Sequence, residues 1–251
     1  MEPYAPLLQG VTALIGVGIA VGSYLLARRT STEGWSTLSY AGAFMAYWAI
    51  GSFFTADVSG MRVAVNIVGM SGFALFLSTA AVKIASDELP ANTPDWFSVR
   101  NVKIYIIAVF VPIIVLGSLY GLSPELQSLL YYQNFGLLVP AVYGFYQLYQ
   151  EDRATNWLLL AVTGLFGMVT VLAHKYTAAF CSTHYDPISA CGSQATYFAT
   201  QLTFPLSEPV LWLASQQYIW TTATVTIFGI GTYLFAKRMS APLSLHEDGH
   251  I

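Results

Sequence analysis

Charge is scarce in this sequence. Only 9% of its 251 residues are Asp, Glu, Lys or Arg, against about a quarter in a soluble domain. Hydrophobic residues make up 55%, and mean hydropathy is +0.58. Such a chain is expected in lipid, as a multi-pass protein of the cell membrane. The net charge of −3, with 10 Lys and Arg, leaves no basic surface and excludes nucleic acid as a partner. Met1-Glu2-Pro3-Tyr4 lacks a positive leader region, so no cleaved signal peptide is expected. Two cysteines, Cys181 and Cys191, exclude a disulfide framework and leave room for one bridge. No nucleophile–base–acid set, no Gly-Lys-Ser/Thr phosphate loop and no carboxylate-rich metal motif occurs. The chain is therefore expected to be no enzyme and to carry no cofactor and no metal.

Long apolar runs are what the sequence has in abundance. Spanning the hydrocarbon takes about 20 apolar residues. Runs of that kind cover 5–27, 37–56, 62–85, 102–121, 126–150, 156–176 and 217–236. The expected fold is all-α with seven transmembrane spans. None carries a charge near its middle, where buried charge is costly and usually functional. That argues against a proton pump or a carrier coupled to ions through buried carboxylates. With the N-terminus outside and the C-terminus inside, the inner side receives Arg28, Arg29, Lys83, Arg100, Lys103, Arg153, Lys237 and Arg238. The outer side receives Arg62 and Lys175, which is the asymmetry expected of membrane proteins.

Two connections are long. Segment 86–100 is an inner connector. Segment 177–216 lies outside and contains both cysteines, then an apolar stretch from Leu202 to Trp212 broken by Pro205 and Pro209. That stretch is too short to span, and lies in the interface or dips back against the bundle. A disulfide between Cys181 and Cys191 is expected on an oxidising outer side. The alternative is a metal clip with His184 and Asp186, but the paired Cys-x-x-Cys spacing of a structural zinc site is missing.

The sequence also repeats. Gly22, Tyr24, Leu26, Trp35, Leu38, Gly42 and Phe44 fall on Gly144, Tyr146, Leu148, Trp157, Leu160, Gly164 and Phe166 at one offset (157 − 35 = 122). Val65-Asn66-Ile67-Val68-Gly69 falls on Val225-Thr226-Ile227-Phe228-Gly229 (225 − 65 = 160). Chance likeness between apolar helices is the competing explanation. A true repeat divides a single membrane domain into a first triplet over 1–85, a linker helix over 86–125 and a second triplet over 126–251. A one-helix linker keeps both triplets in the same orientation, the parallel kind of transporter repeat.

The stretch Arg28-Arg29-Thr30-Ser31-Thr32-Glu33-Gly34-Trp35-Ser36-Thr37-Leu38, followed by a helix bearing Trp48, resembles the turn between the first two helices of the sugar-transporting SWEET family. The Asn66 segment is similar to that family's third helix, whose Asn faces the sugar. The resemblance covers the first three spans. It implies a 3+1+3 arrangement of seven helices and an uncoupled facilitator of a small neutral solute, of the sugar class. It implies a substrate site at Asn66, Trp48 and Thr226. The sequence departs from the family in three places. The first span lacks the Pro motif, Trp48-Ala49-Ile50-Gly51 lacks the family's Tyr, and Thr226 stands where a second Asn is expected. The long cysteine-bearing segment has no counterpart.

Other constellations point less far. His174 stands alone in the spans, without the second axial group a haem would need. Tyr143 and Tyr146 sit at helical spacing, where they either line a path or pack. Pro112 and Pro140 interrupt their helices as kinks or hinges. Ile227 occupies the place where a retinal-binding helix carries Lys, which sets a photoreceptor aside. The rival to the facilitator is a non-catalytic seven-helix sensor or an accessory subunit. In that case partner subunits, or a second copy of the chain, hold the polar tail 240–251 with His246, Glu247, Asp248 and His250. Membrane lipid is a partner in either case.

Overall fold

The computed structural model describes residues 5–54, 59–88, 100–101, 104, 107–108, 124–184 and 217–240. Seven helices carry most of them: α1 (Ala5–Thr30), α2 (Glu33–Phe54), α3 (Ser59–Glu88), α4 (Pro124–Leu137), α5 (Val139–Asp152), α6 (Thr155–His184) and α7 (Gln217–Ser240). Among the described residues there is no strand. Four stretches, Pro6–Thr30, Ile67–Glu88, Thr155–Ala173 and Tyr218–Met239, are long and apolar enough to cross a membrane. The chain is thus an all-helical protein of membrane type. The segment expected as an outer loop over 177–216 is helical as far as His184, because α6 continues through it. Its remainder from 185 to 216, with Cys191, lies outside the described residues, as do all but residues 104, 107 and 108 of the fourth expected span, 102–121, and the side chains of Asn66 and Cys181.

The run expected as one span over 126–150 is two helices, α4 and α5, meeting at Leu138. Pro140 has no N–H to give to the carbonyl of Gly136, and its ring crowds that carbonyl. The chain tightens instead, with Leu138 N–H bonding the Phe135 carbonyl at 3.2 Å. Pro140 then falls in the first turn of α5, where a missing donor costs nothing.

Two turns have the same build. α1 ends with Ser31 in the left-handed region at φ 54°, its N–H on the Ala27 carbonyl at 2.9 Å. α5 ends with Arg153 at φ 55°, its N–H on the Tyr149 carbonyl at 2.7 Å. This is the single left-handed cap that closes many helices. On the other side of each turn, Trp35 N–H bonds the Thr32 carbonyl at 3.3 Å and Trp157 N–H bonds the Ala154 carbonyl at 3.0 Å. Every one of these positions pairs at the offset of 122 between Trp35 and Trp157.

The helices close a ring. α1 packs on α2, α2 on α3, α3 on both α4 and α5, these on α6, α6 on α7, and α7 returns to α1. A large apolar core runs through it, from Ile19 and Leu38 to Leu77, Phe145, Leu160 and Phe228, with a small separate cluster at Leu130 and Ile67. α3 is the inner member, with 72% of its spanning window buried, against 28% for α1. The outer face of α1 presents Leu7, Leu14, Val17, Val21 and Leu25, the surface that lipid covers.

Candidate functional site

Both short turns lie at one end of the ring, and they deliver Trp35 and Trp157 to its middle. The two indoles stack with centroids 6.1 Å apart. Phe235 of α7 lies 4.2 Å from Trp35 and 5.1 Å from Trp157, and Phe145 of α5 stacks on Trp157 at 6.3 Å. All four rings are buried, so this end of the ring is plugged by aromatic side chains. Arg28, Arg29, Lys83, Arg153, Lys237 and Arg238 gather at the same end, because each lies in or close to a helix end there.

Ion pairs tie the plug to the helix ends. Arg238 of α7 donates to Asp152 Oδ2 at 2.6 Å, and the Trp157 indole N–H donates to the same oxygen at 2.9 Å. Lys83 donates to Glu33 at 3.0 Å. The hydrogen bond from Arg238 is the largest influence on the Asp152 carboxyl. Burial comes next and pushes upward, and the Trp157 hydrogen bond and the Arg238 charge add to the downward side, so the group is held below its ordinary value of 3.8. A depressed carboxylate stabilises the fold above its unfolded pKa, and that contribution disappears as pH falls through the folded value. The pair is therefore intact at neutral pH and fails only in acid, below 3.8. Melting temperature followed from neutral pH down through that window should fall for the natural chain. Asp152→Asn should already be lower at neutral pH and lack the acid step.

Beyond the plug is a small cavity lined by Met45 and Trp48 of α2, Met70 and Phe73 of α3, Gly167, Thr170 and Val171 of α6, and Thr221 and Thr224 of α7. It has room for about one water molecule. Its polar side is three threonines. Thr170 and Thr224 share a hydroxyl–hydroxyl bond of 2.9 Å, and Thr224 Oγ1 also donates to the Trp220 carbonyl at 2.8 Å. Between cavity and plug, Phe73 and Phe228 approach across the ring with centroids 6.1 Å apart. Gly69 is the reason Trp48 sits so deep: a Cβ at that position would be 2.4 Å from the Trp48 Cβ.

The residues expected at a substrate site divide as follows. Trp48, 2% exposed, lines the cavity. Thr226 is on α7 but half-buried and outside the lining, which Thr221 and Thr224 supply instead. The backbone of Asn66 is in α3, one turn from Met70. Tyr146 is exposed and Tyr143 packs on the core, so neither lines the cavity. Thr170, Thr221 and Thr224 escaped the sequence reading because threonine is common in these spans, and spacing alone does not tell an inward hydroxyl from one bonded to its own helix. Among the described residues no three His, Cys, Asp or Glu side chains group as metal ligands. Comparison of the chain with protein-family models, with curated proteins and with solved structures finds no match.

Proposed function

We propose that the chain is an uncoupled facilitator of a small neutral solute, of the sugar class, with seven spans in a 3+1+3 arrangement in the cell membrane. The N-terminus is outside, and the plugged, basic end of the ring is inside. The observation that carries the reading is the pairing of an aromatic-closed end with a cavity between the helices of both halves. Two turns of identical build bring equivalent tryptophans together at that end, and a hydroxyl-bearing cavity walled by Trp48 lies beyond them. This is the layout of two like halves that rock about a central site. Threonine hydroxyls suit the hydroxyls of a neutral solute, and an indole covers the apolar face of a sugar ring. The resemblance to the SWEET turn points the same way. With room for about one water, the cavity is in its closed form, so α2 and α3 must part from α6 and α7 to admit a sugar.

Uptake of labelled mono- and disaccharides into proteoliposomes tests the reading. The natural chain should equilibrate a sugar. Trp48→Ala and Thr224→Val should slow uptake by about tenfold for each lost contact, and Asn66→Ala should abolish it, while all three remain folded and inserted. A second reading, a seven-helix sensor or accessory subunit held by partner subunits, is favoured by the smallness of the cavity and its largely apolar wall of Met45, Met70, Phe73 and Val171. No uptake of any sugar by a folded, inserted chain selects it. A Cys181–Cys191 bridge belongs to the same topology, and intact mass before and after reduction checks it.

A further inference from the structure

The ring has two seams where the first triplet meets the second. At the seam between α1 and α7, Thr12 and Thr222 are paired, although Ser23 Oγ of α1 and Thr232 Oγ1 of α7 are buried without a partner. Thr12 and Thr222 share a hydroxyl bond of 3.1 Å, and Thr222 also donates to the Leu8 carbonyl at 3.4 Å. The seam between α3 and α4 is different. Ser71 Oγ, Gln133 Nε2, Gln133 Oε1 and Asn134 Oδ1 are all buried and have no hydrogen-bond partner. Their residues are 7%, 7% and 1% exposed. Asn134 is the residue 122 positions after Thr12, so the two seams differ at matched places.

These groups belong to one stretch of the seam. Ser71 and Ser78, seven positions apart, share a face of α3, and Ser78 donates to the Leu137 carbonyl at the end of α4. Farther along, Ile67 packs on Leu130. Leu130 and Leu137 mark the inward face of α4, and Gln133 and Asn134 are the polar residues between them. The two contacts thus bracket Ser71, Gln133 and Asn134. On α3, Met70 and Phe73 lie one position before and two after Ser71, and both line the central cavity.

A buried polar atom left unpaired costs about 1–3 kcal/mol, and such groups in native proteins are normally met by water, an ion or a ligand. Four such atoms from three side chains, with two amide oxygens, one amide donor and one hydroxyl, are a matched set for hydroxyl groups. All are neutral. A charged ligand there would be stripped of water with no opposite charge to meet it. We propose that Ser71, Gln133 and Asn134 form a binding site for an uncharged polyhydroxyl solute in the seam between α3 and α4, beside the central cavity. The site rests on the facilitator reading for its solute class, and gives that solute its hydrogen-bonding partners.

The experiment is equilibrium binding of tritiated glucose, erythritol and glycerol to the full chain in lipid nanodiscs, with proteoliposome uptake measured separately. The natural chain should bind at least one of the three saturably. The double variant Gln133→Leu/Asn134→Leu should bind about tenfold more weakly or not at all, with a melting temperature equal to or above that of the natural chain. Gln133→Met, closer in shape, should keep the fold and weaken binding on its own. Saturable binding lost in these variants, with no uptake by the natural chain, keeps the site and removes the facilitator. Binding and uptake both unchanged in folded variants remove the site and keep the facilitator. No binding of any of the three by the natural chain, as when water alone fills the seam, overturns the proposal.

Discussion

Gly42→Leu should separate the first span from the second. A Cβ on Gly42 would lie 2.7 Å from the Ala20 nitrogen and 2.9 Å from the Gly16 carbonyl oxygen, and one on Gly16 would lie 2.8 Å from the Ala46 nitrogen. The obstacles are main-chain atoms, which cannot turn aside as a side chain can. Small residues that let backbones touch are how helices associate where lipid offers no hydrophobic drive. Overpacking of a tight core costs about 1–3 kcal/mol. Gly42→Ala should fall in that range, and Gly42→Leu should exceed it. The matched Gly164 first meets the Val142 side chain at 2.7 Å, with the Val142 nitrogen at 3.3 Å, so Gly164→Ala should cost less. Gly18, with nothing within 4 Å of its Cβ, is the control, and Gly18→Ala should be neutral or slightly stabilising. Unfolding midpoints of the four variants in one detergent provide the check. Equal midpoints for Gly42→Ala and Gly18→Ala would refute the close approach.

The second large effect is expected at the plug. Trp157 is 4% exposed, stacks on Phe145 and Trp35, lies tilted against Phe235, and donates its indole N–H to Asp152. Truncating a buried tryptophan typically costs about 3–5 kcal/mol, so Trp157→Ala should be among the most destabilising single changes in the chain. Trp157→Phe keeps a ring in the stack and loses the hydrogen bond, and should cost about 1 kcal/mol for the bond plus the smaller ring. If the facilitator reading holds, Trp157→Ala in a stabilising lipid should also raise solute leak, because the inner end of the ring loses one of its paired indoles. Equal stability of the Ala and Phe variants would show that the stack does not hold this end together.

The two turns were readable in the chain because local chemistry dictates them. A few polar residues and then Trp35 or Trp157 recur at one offset, and each turn needs only a left-handed residue and one carbonyl to close. The break at Leu138 was half readable. Pro140 announces the lost hydrogen bond, but where the chain compensates depends on the packing around it. The lining of the cavity was read less well. Trp48 reaches the cavity because Gly69 lets it in, while Thr224, two positions before the expected Thr226, supplies the hydroxyl. The buried Gln133 and Asn134 gave no signal, since an amide near the middle of a run looks the same whether it faces a neighbour or lies at an edge.

By itself the sequence determined that the chain is helical and of membrane type, and that short polar turns precede Trp35 and Trp157. Length, hydropathy and local hydrogen bonding settle those questions, and none needs a distant partner. Only the tertiary structure decided which face of each helix looks inward. In a soluble helix the polar stripe marks the outside, but in a membrane bundle the outer face is as apolar as the core. The face of α1 that carries Leu14 and Val21 and the face that carries Ile19 and Leu26 read alike, and only the neighbours α2 and α7 tell them apart.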